Sequence, residues 1–145
     1  MTPKSKQQKD VPAEPTLQTD VKTVKTNGKR ILIVEDERPL SHALEMKLGH
    51  EGYETHVVTN GTDALEVLKT EKYHLILLDL IMPVMDGFAV LAALKEHKNT
   101  VPVIVLSNLG QAEDQAKTKE LGAVDYFVKS NTPIADIVAR VKTAL

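Results

Sequence analysis

Leu75-Ile-Leu-Leu-Asp-Leu-Ile-Met-Pro-Val-Met-Asp-Gly87 reads, in one stretch, as a strand, a loop and the start of a helix. Four consecutive apolar residues, Leu75 to Leu78, suit a strand buried on both faces, as parallel sheets require. The run stops at the carboxylate of Asp79. Met82-Pro83 then forces a loop, because the residue before a proline is pushed out of the helical region. Asp86 is a candidate N-cap for a helix carrying Phe88, Leu91 and Leu94 on one face.

The same unit recurs on either side. Ile31-Leu-Ile-Val34 is a short β-branched apolar run and predicts the first strand. Pro39 suits the first turn of a helix on which Leu40, Ala43, Leu44 and Leu48 recur until Gly52. Thr55 to Val58 predicts a second strand, and Asp63 to Lys69 a short helix with Ala64, Leu65 and Leu68 on one face. Beyond the central stretch, Val101 and Val103 to Leu106 predict a fourth strand, followed by a polar helix from Ala112 to Leu121 that Gly122 closes. Val124 to Val128 reads as the fifth strand. Thr132 is expected to cap a last helix, with Pro133 in its first turn and Ile134, Ile137, Val138 and Val141 on its apolar face. Five strand–helix repeats predict an α/β fold, a doubly wound parallel sheet of five strands with five helices, since each right-handed parallel crossover needs a helix. In the flavodoxin-like order 2-1-3-4-5, ligands collect beyond the carboxyl ends of strands one and three.

The chain has 145 residues, 42% of them hydrophobic, enough for one core. Residues 1–27 are polar, with five lysines against three acids, and read as a disordered tail. The folded domain is then 28–145, with 13 basic and 17 acidic residues. Neither nucleic acid nor an anionic membrane is favoured as a partner by that balance. The absence of cysteine excludes disulfides and thiolate metal sites and suits a reducing, cytoplasmic location. No apolar run is long enough to span a membrane, and the first ten residues are too polar for a signal peptide.

The chemistry gathers at strand ends. The first strand ends in Glu35-Asp36 and the third in Asp79, which brings three carboxylates to one switch point. Their mutual repulsion asks for a cation, and Mg²⁺ is the natural one, since it takes oxygen ligands and leaves positions for water and phosphate oxygens. Ser107 closes the fourth strand with a hydroxyl and Lys129 the fifth with an ammonium. A carboxylate nucleophile accepting a phosphoryl group needs such a cation and such a donor around the transferring oxygens. Any one of these residues alone reads as a helix cap or solvated surface; five together do not. The five histidines show no metal-ligand spacing, and no glycine-rich phosphate loop is present.

In Val34-Glu-Asp-Glu37, Leu78-Asp-Leu-Ile-Met-Pro-Val-Met-Asp-Gly87, Leu106-Ser107 and Tyr126-Phe-Val-Lys129, in that order, the chain from about Lys29 to Leu145 resembles the response-regulator receiver family, of the stand-alone, chemotaxis-regulator-like kind. The resemblance implies that Asp79 receives a phosphoryl group from a sensor histidine kinase or a histidine phosphotransfer protein. It implies that Asp36 and Asp79 bind Mg²⁺ directly together with the backbone carbonyl of Ile81, and Glu35 through water. Ser107 and Lys129 would bind phosphate oxygens, and Ser107 and Tyr126 would form the switch that changes on activation. Such a protein is no enzyme beyond its own phosphorylation and slow dephosphorylation. It acts by protein contact through the fourth helix, fifth strand and fifth helix, as a monomer or a phosphorylation-dependent dimer, alone or within a larger kinase assembly. The alternative is a phosphorylation-independent interaction module of the same fold.

Three positions depart from the family's commonest pattern. Ser130 stands where a proline usually follows the lysine, and a cis bond there would cost roughly 2.5 to 4 kcal/mol without proline. Asn108 is larger than the usual residue after Ser107. Ile81 and Leu109 are apolar where fast self-dephosphorylating relatives are often polar, which predicts a long-lived phosphorylated state, since no side chain orients the attacking water.

Overall fold

A computed structural model describes residues 26–145. The tail expected at 1–27 lies outside the described residues except for its last two, and of these Asn27 donates its amide to the Gly52 carbonyl at 2.9 Å.

Five strands alternate with five helices: β1 (Arg30–Val34), α1 (Arg38–His50), β2 (Glu54–Val58), α2 (Gly61–Thr70), β3 (Leu75–Asp79), α3 (Gly87–Glu96), β4 (Val103–Ser107), α4 (Ala112–Glu120), β5 (Asp125–Val128) and α5 (Ile134–Ala144). The strands form one sheet in the order β2-β1-β3-β4-β5, every pair parallel. This is the flavodoxin-like, doubly wound arrangement expected from the alternation of apolar runs.

Period-two alternation divides the central strands between two cores. Ile31, Ile33, Leu75, Leu77, Ile104 and Leu106 face α1 and α5, where they meet Leu44, Leu48, Ile137, Val138 and Val141. Leu32, Val34, Ile76, Leu78, Val103 and Val105 face the other way, toward Ala64, Val90, Leu91 and Leu94 of α2 and α3. Each such large aliphatic side chain contributes about 1.5–3 kcal/mol by leaving water. The sheet is therefore held rigidly from both sides, and its carboxyl edge is a fixed platform.

Local signals place most helix starts. Asp86 caps α3 by accepting from the Ala89 amide at 2.9 Å, and Pro39 lies in the first turn of α1. α2 begins earlier than the Asp63 expected, because Asn60 caps it through the Asp63 amide at 2.9 Å. Gly122 at φ 108° closes α4. Thr132 is not the cap of α5. Its hydroxyl donates instead to the Val128 carbonyl at 2.9 Å, and Pro133 is the N-cap residue. The reason is a 3-10 turn at Lys129–Asn131, which draws the hydroxyl back toward β5. The Lys129–Ser130 peptide bond is trans.

Candidate functional site

Sheet order fixes who meets whom. β1 and β3 are neighbours with Val34 opposite Leu78, so the residues just beyond, Glu35 and Asp79, emerge side by side. β3 pairs with β4 through Asp79 and Leu106, and β4 with β5 through Ser107 and Val128. Ser107 and Lys129 therefore reach the same edge of the sheet.

Carboxylate oxygens of Glu35, Asp36 and Asp79 lie within 4.8 Å of one another. Glu35 and Asp79 are buried, at 1% and 3% exposure, whereas Asp36 is exposed. Lys129 sits over this group with its Nζ 2.8 Å from Glu35 Oε1, 3.1 Å from Asp79 Oδ2 and 3.1 Å from Glu37 Oε1. The remaining oxygens are held by backbone amides: Glu37 N–H donates to Glu35 Oε2 at 3.0 Å, and Ile81 N–H to Asp79 Oδ1 at 3.3 Å. Ser107 is fully buried, and its Oγ accepts from the Leu109 amide at 3.1 Å. The Tyr126 hydroxyl donates to the Leu109 carbonyl, which links the ring to the loop that follows Ser107.

The electrostatics follow from the burial of two acids beside one base. Burial pushes Glu35 up to about 7, with the charge of Asp79 adding to it and hydrogen bonds from Lys129 and the Glu37 amide opposing it. Asp79 is also raised, chiefly by burial, with Lys129 pulling the other way. Burial alone would lower Lys129, but the hydrogen bond to Glu35 and the charges of Glu35 and Asp79 outweigh it and hold the ammonium above its ordinary value. Two buried carboxylates thus share one permanent cation, and the pocket remains electron-rich.

A hard divalent ion fits these residues. The donor set is all oxygen, and three carboxylates converge within 4.8 Å of one another.

A tight loop shapes the approach. Gly87 passes so close to β3 that a Cβ there would lie 2.4 Å from the Asp79 carbonyl oxygen and 2.8 Å from Leu80 Cα. Between them Met85 N–H donates to the Pro83 carbonyl at 2.7 Å across Val84, whose φ of 70° is left-handed. Such a three-residue turn on a β-branched residue is strained. Ile81 and Val84 on this loop are exposed, at 58% and 83%, and leave an apolar rim beside Asp79.

The structure brings Glu35, Asp36, Asp79 and Lys129 together as the spacing predicted, with Ser107 and Tyr126 on the adjoining strands. Glu37 is the residue that went unassigned. Its place directly after the two acids was the available signal, but the direction of its side chain is not written in the spacing.

Comparison with known proteins agrees with this fold. A family model described as "Response regulator receiver domain" matches residues 31–142. The chain is 43% identical over 118 residues to the transcriptional regulatory protein SrrA of Staphylococcus aureus, covering 81% of this chain and 48% of that protein. It spans about half the length of the curated relatives it matches. Among solved structures, the receiver domain of the Francisella response regulator 1452 superposes with a TM-score of 0.77 at 28% identity, covering 81% of this chain and 96% of that one. The response regulator TrrA of Thermotoga maritima, in complex with Mg²⁺–BeF, gives 0.70 at 31% identity, with 81% and 99% coverage.

Proposed function

The chain belongs to the response regulator receiver domain family, and from that premise we propose that it is a phosphoacceptor switch of a two-component or phosphorelay system, with Asp79 as the acceptor. The observation that carries this reading is a buried carboxylate at a strand end, 3.1 Å from a lysine ammonium and flanked by two more carboxylates. In the proposed reaction a phosphohistidine of a kinase or phosphotransfer protein gives its phosphoryl group to an Asp79 oxygen. The P–N bond breaks as the O–P bond forms, and the leaving imidazole takes up a proton.

The residues divide the work. Asp36 and Asp79 with the Ile81 carbonyl, and Glu35 through water, would hold Mg²⁺, which would supply charge neutralisation for the phosphoryl oxygens. Lys129 supplies a fixed positive charge, and Ser107 a hydroxyl that can turn from the Leu109 amide toward a phosphoryl oxygen. That turn would disturb the Leu109 segment to which Tyr126 is bonded, and so pass the change to α4 and β5.

Output is proposed to be protein contact through the α4, β5 and α5 face. Relatives described as transcriptional regulatory proteins favour a second reading, in which the same change is relayed to a DNA-directed module. Among the described residues no helix is long and apolar enough to cross a membrane, and a cytoplasmic setting is proposed on that ground together with the absence of cysteine.

Incubation with acetyl phosphate and Mg²⁺ tests the assignment. Wild type is expected to gain one phosphoryl group, and Asp79→Ala none. A folded wild type that stays unmodified, or an Asp79→Ala variant labelled equally, removes the reading and favours the phosphorylation-independent module.

A further inference from the structure

Glu37 occupies the N-cap position of α1, from which a side chain ordinarily turns back to accept from the first helical amides, yet it makes no such bond. Its Oε1 instead accepts from Lys129 Nζ at 3.1 Å, across 92 residues of sequence. The ammonium thus touches three carboxylates of unequal standing. Glu35 and Asp79 are buried, and stripping either of its cation leaves a desolvated charge. Glu37 is 54% exposed, and water replaces the lysine there at little cost. Of the three, Glu37 is the partner that Lys129 can leave.

We propose that Glu37 is a positioning residue that holds the Lys129 ammonium toward the β1–α1 turn, and that an anion arriving beside Asp79 must take the ammonium from it. The proposal rests on the reading of Asp79 as the phosphoacceptor. Phosphoryl oxygens need the same N–H donors that Glu37 occupies, so the two compete. Glu37 thereby sets the threshold at which an anion is captured: it keeps Lys129 preorganised at the mouth of the site and lowers the affinity for the incoming group. The Glu37 amide, bonded to Glu35 Oε2 at 3.0 Å, fixes the backbone from which the side chain reaches, and this part is untouched by a change of side chain.

Four forms of the full chain decide the matter: wild type, Glu37→Gln, Lys129→Met and the double variant. Each is titrated with beryllofluoride at saturating Mg²⁺ and followed by amide NMR shifts. Glu37→Gln is expected to bind about three- to tenfold more tightly, the scale of one exposed unit charge removed a few ångström away. In the Lys129→Met background the same change is expected to alter affinity by less than about twofold, because no ammonium is left to hold. In metal-free protein the Lys129 Nζ and Cε signals are expected to move in Glu37→Gln. Unchanged or weaker binding by Glu37→Gln overturns the proposal. Equal tightening in both backgrounds also overturns it, since Glu37 would then act only by repelling the anion, and so do unmoved Lys129 signals. Failure of wild type to bind beryllofluoride at all sinks the phosphoacceptor reading itself, whereas wild-type binding with an indifferent Glu37→Gln sinks this one alone.

Discussion

Lys129 compensates the buried charge of Glu35 and Asp79, with its side chain only 9% exposed and both acids almost wholly covered. Lys129→Met leaves two like charges facing each other, and the pair responds by taking up a proton, which limits the damage. The expected cost is about 1–3 kcal/mol in metal-free protein, smaller when Mg²⁺ is present, and urea denaturation with and without the ion measures both. Beside the buried Asp79, Ile81 presents an exposed apolar side chain and Leu109 packs against the core. Neither of these apolar side chains can direct a nucleophilic water. Ile81→Asn is therefore expected to shorten the lifetime of phospho-Asp79 severalfold, read as the decay of labelled protein after the donor is removed. An unchanged lifetime removes the idea that these apolar positions protect the acyl phosphate.

The loop from β3 to α3 is built by backbone fit. Gly87 N–H donates to the Leu80 carbonyl at 2.9 Å, and Gly61 N–H to the Met85 carbonyl at 3.1 Å, so the loop is tied both to its own strand and to the start of α2. Gly87→Ala places a methyl group against the Asp79 carbonyl and Leu80 Cα, backbone atoms that cannot give way as a side-chain end could. It is expected to cost about 2 kcal/mol or more, seen as a lowered denaturation midpoint, and to weaken Mg²⁺ binding through the displaced loop. α4 differs from the other helices. Thr118 is its buried residue, and its contact with α3 includes the Lys117 ammonium 4.6 Å above the Phe88 ring. An element with so little apolar burial opens readily. Amides of α4 are expected to exchange faster than those of α3, which buries Val90, Leu91 and Leu94, and equal protection would deny α4 its part in the switch.

At the scale of the molecule, the acidic pocket exists only when the sheet does, because Glu35 and Asp36 are separated from Asp79 by more than forty residues. Mg²⁺ that binds the folded chain alone stabilises it by mass action, by about 2.7 kcal/mol at a hundred times its dissociation constant. The urea midpoint is expected to rise with Mg²⁺ in wild type and much less in Asp36→Asn. The amino-acid sequence by itself determined the order of strands and helices, the parallel two-cored sheet, and the placing of Glu35, Asp36, Asp79, Ser107 and Lys129 at strand ends, since apolar runs and period-two burial are local properties. It misled at Thr132, where a nearby turn back to Val128 competed for the hydroxyl. Only the tertiary structure decided that Lys129 grips Glu37 as well as the two buried acids, that Val84 sits in a left-handed turn, and that Gly87 has no room for a Cβ. These depend on how segments far apart in the chain approach each other, and the distance between two backbones is set by the packed sheet, which no single stretch of residues contains.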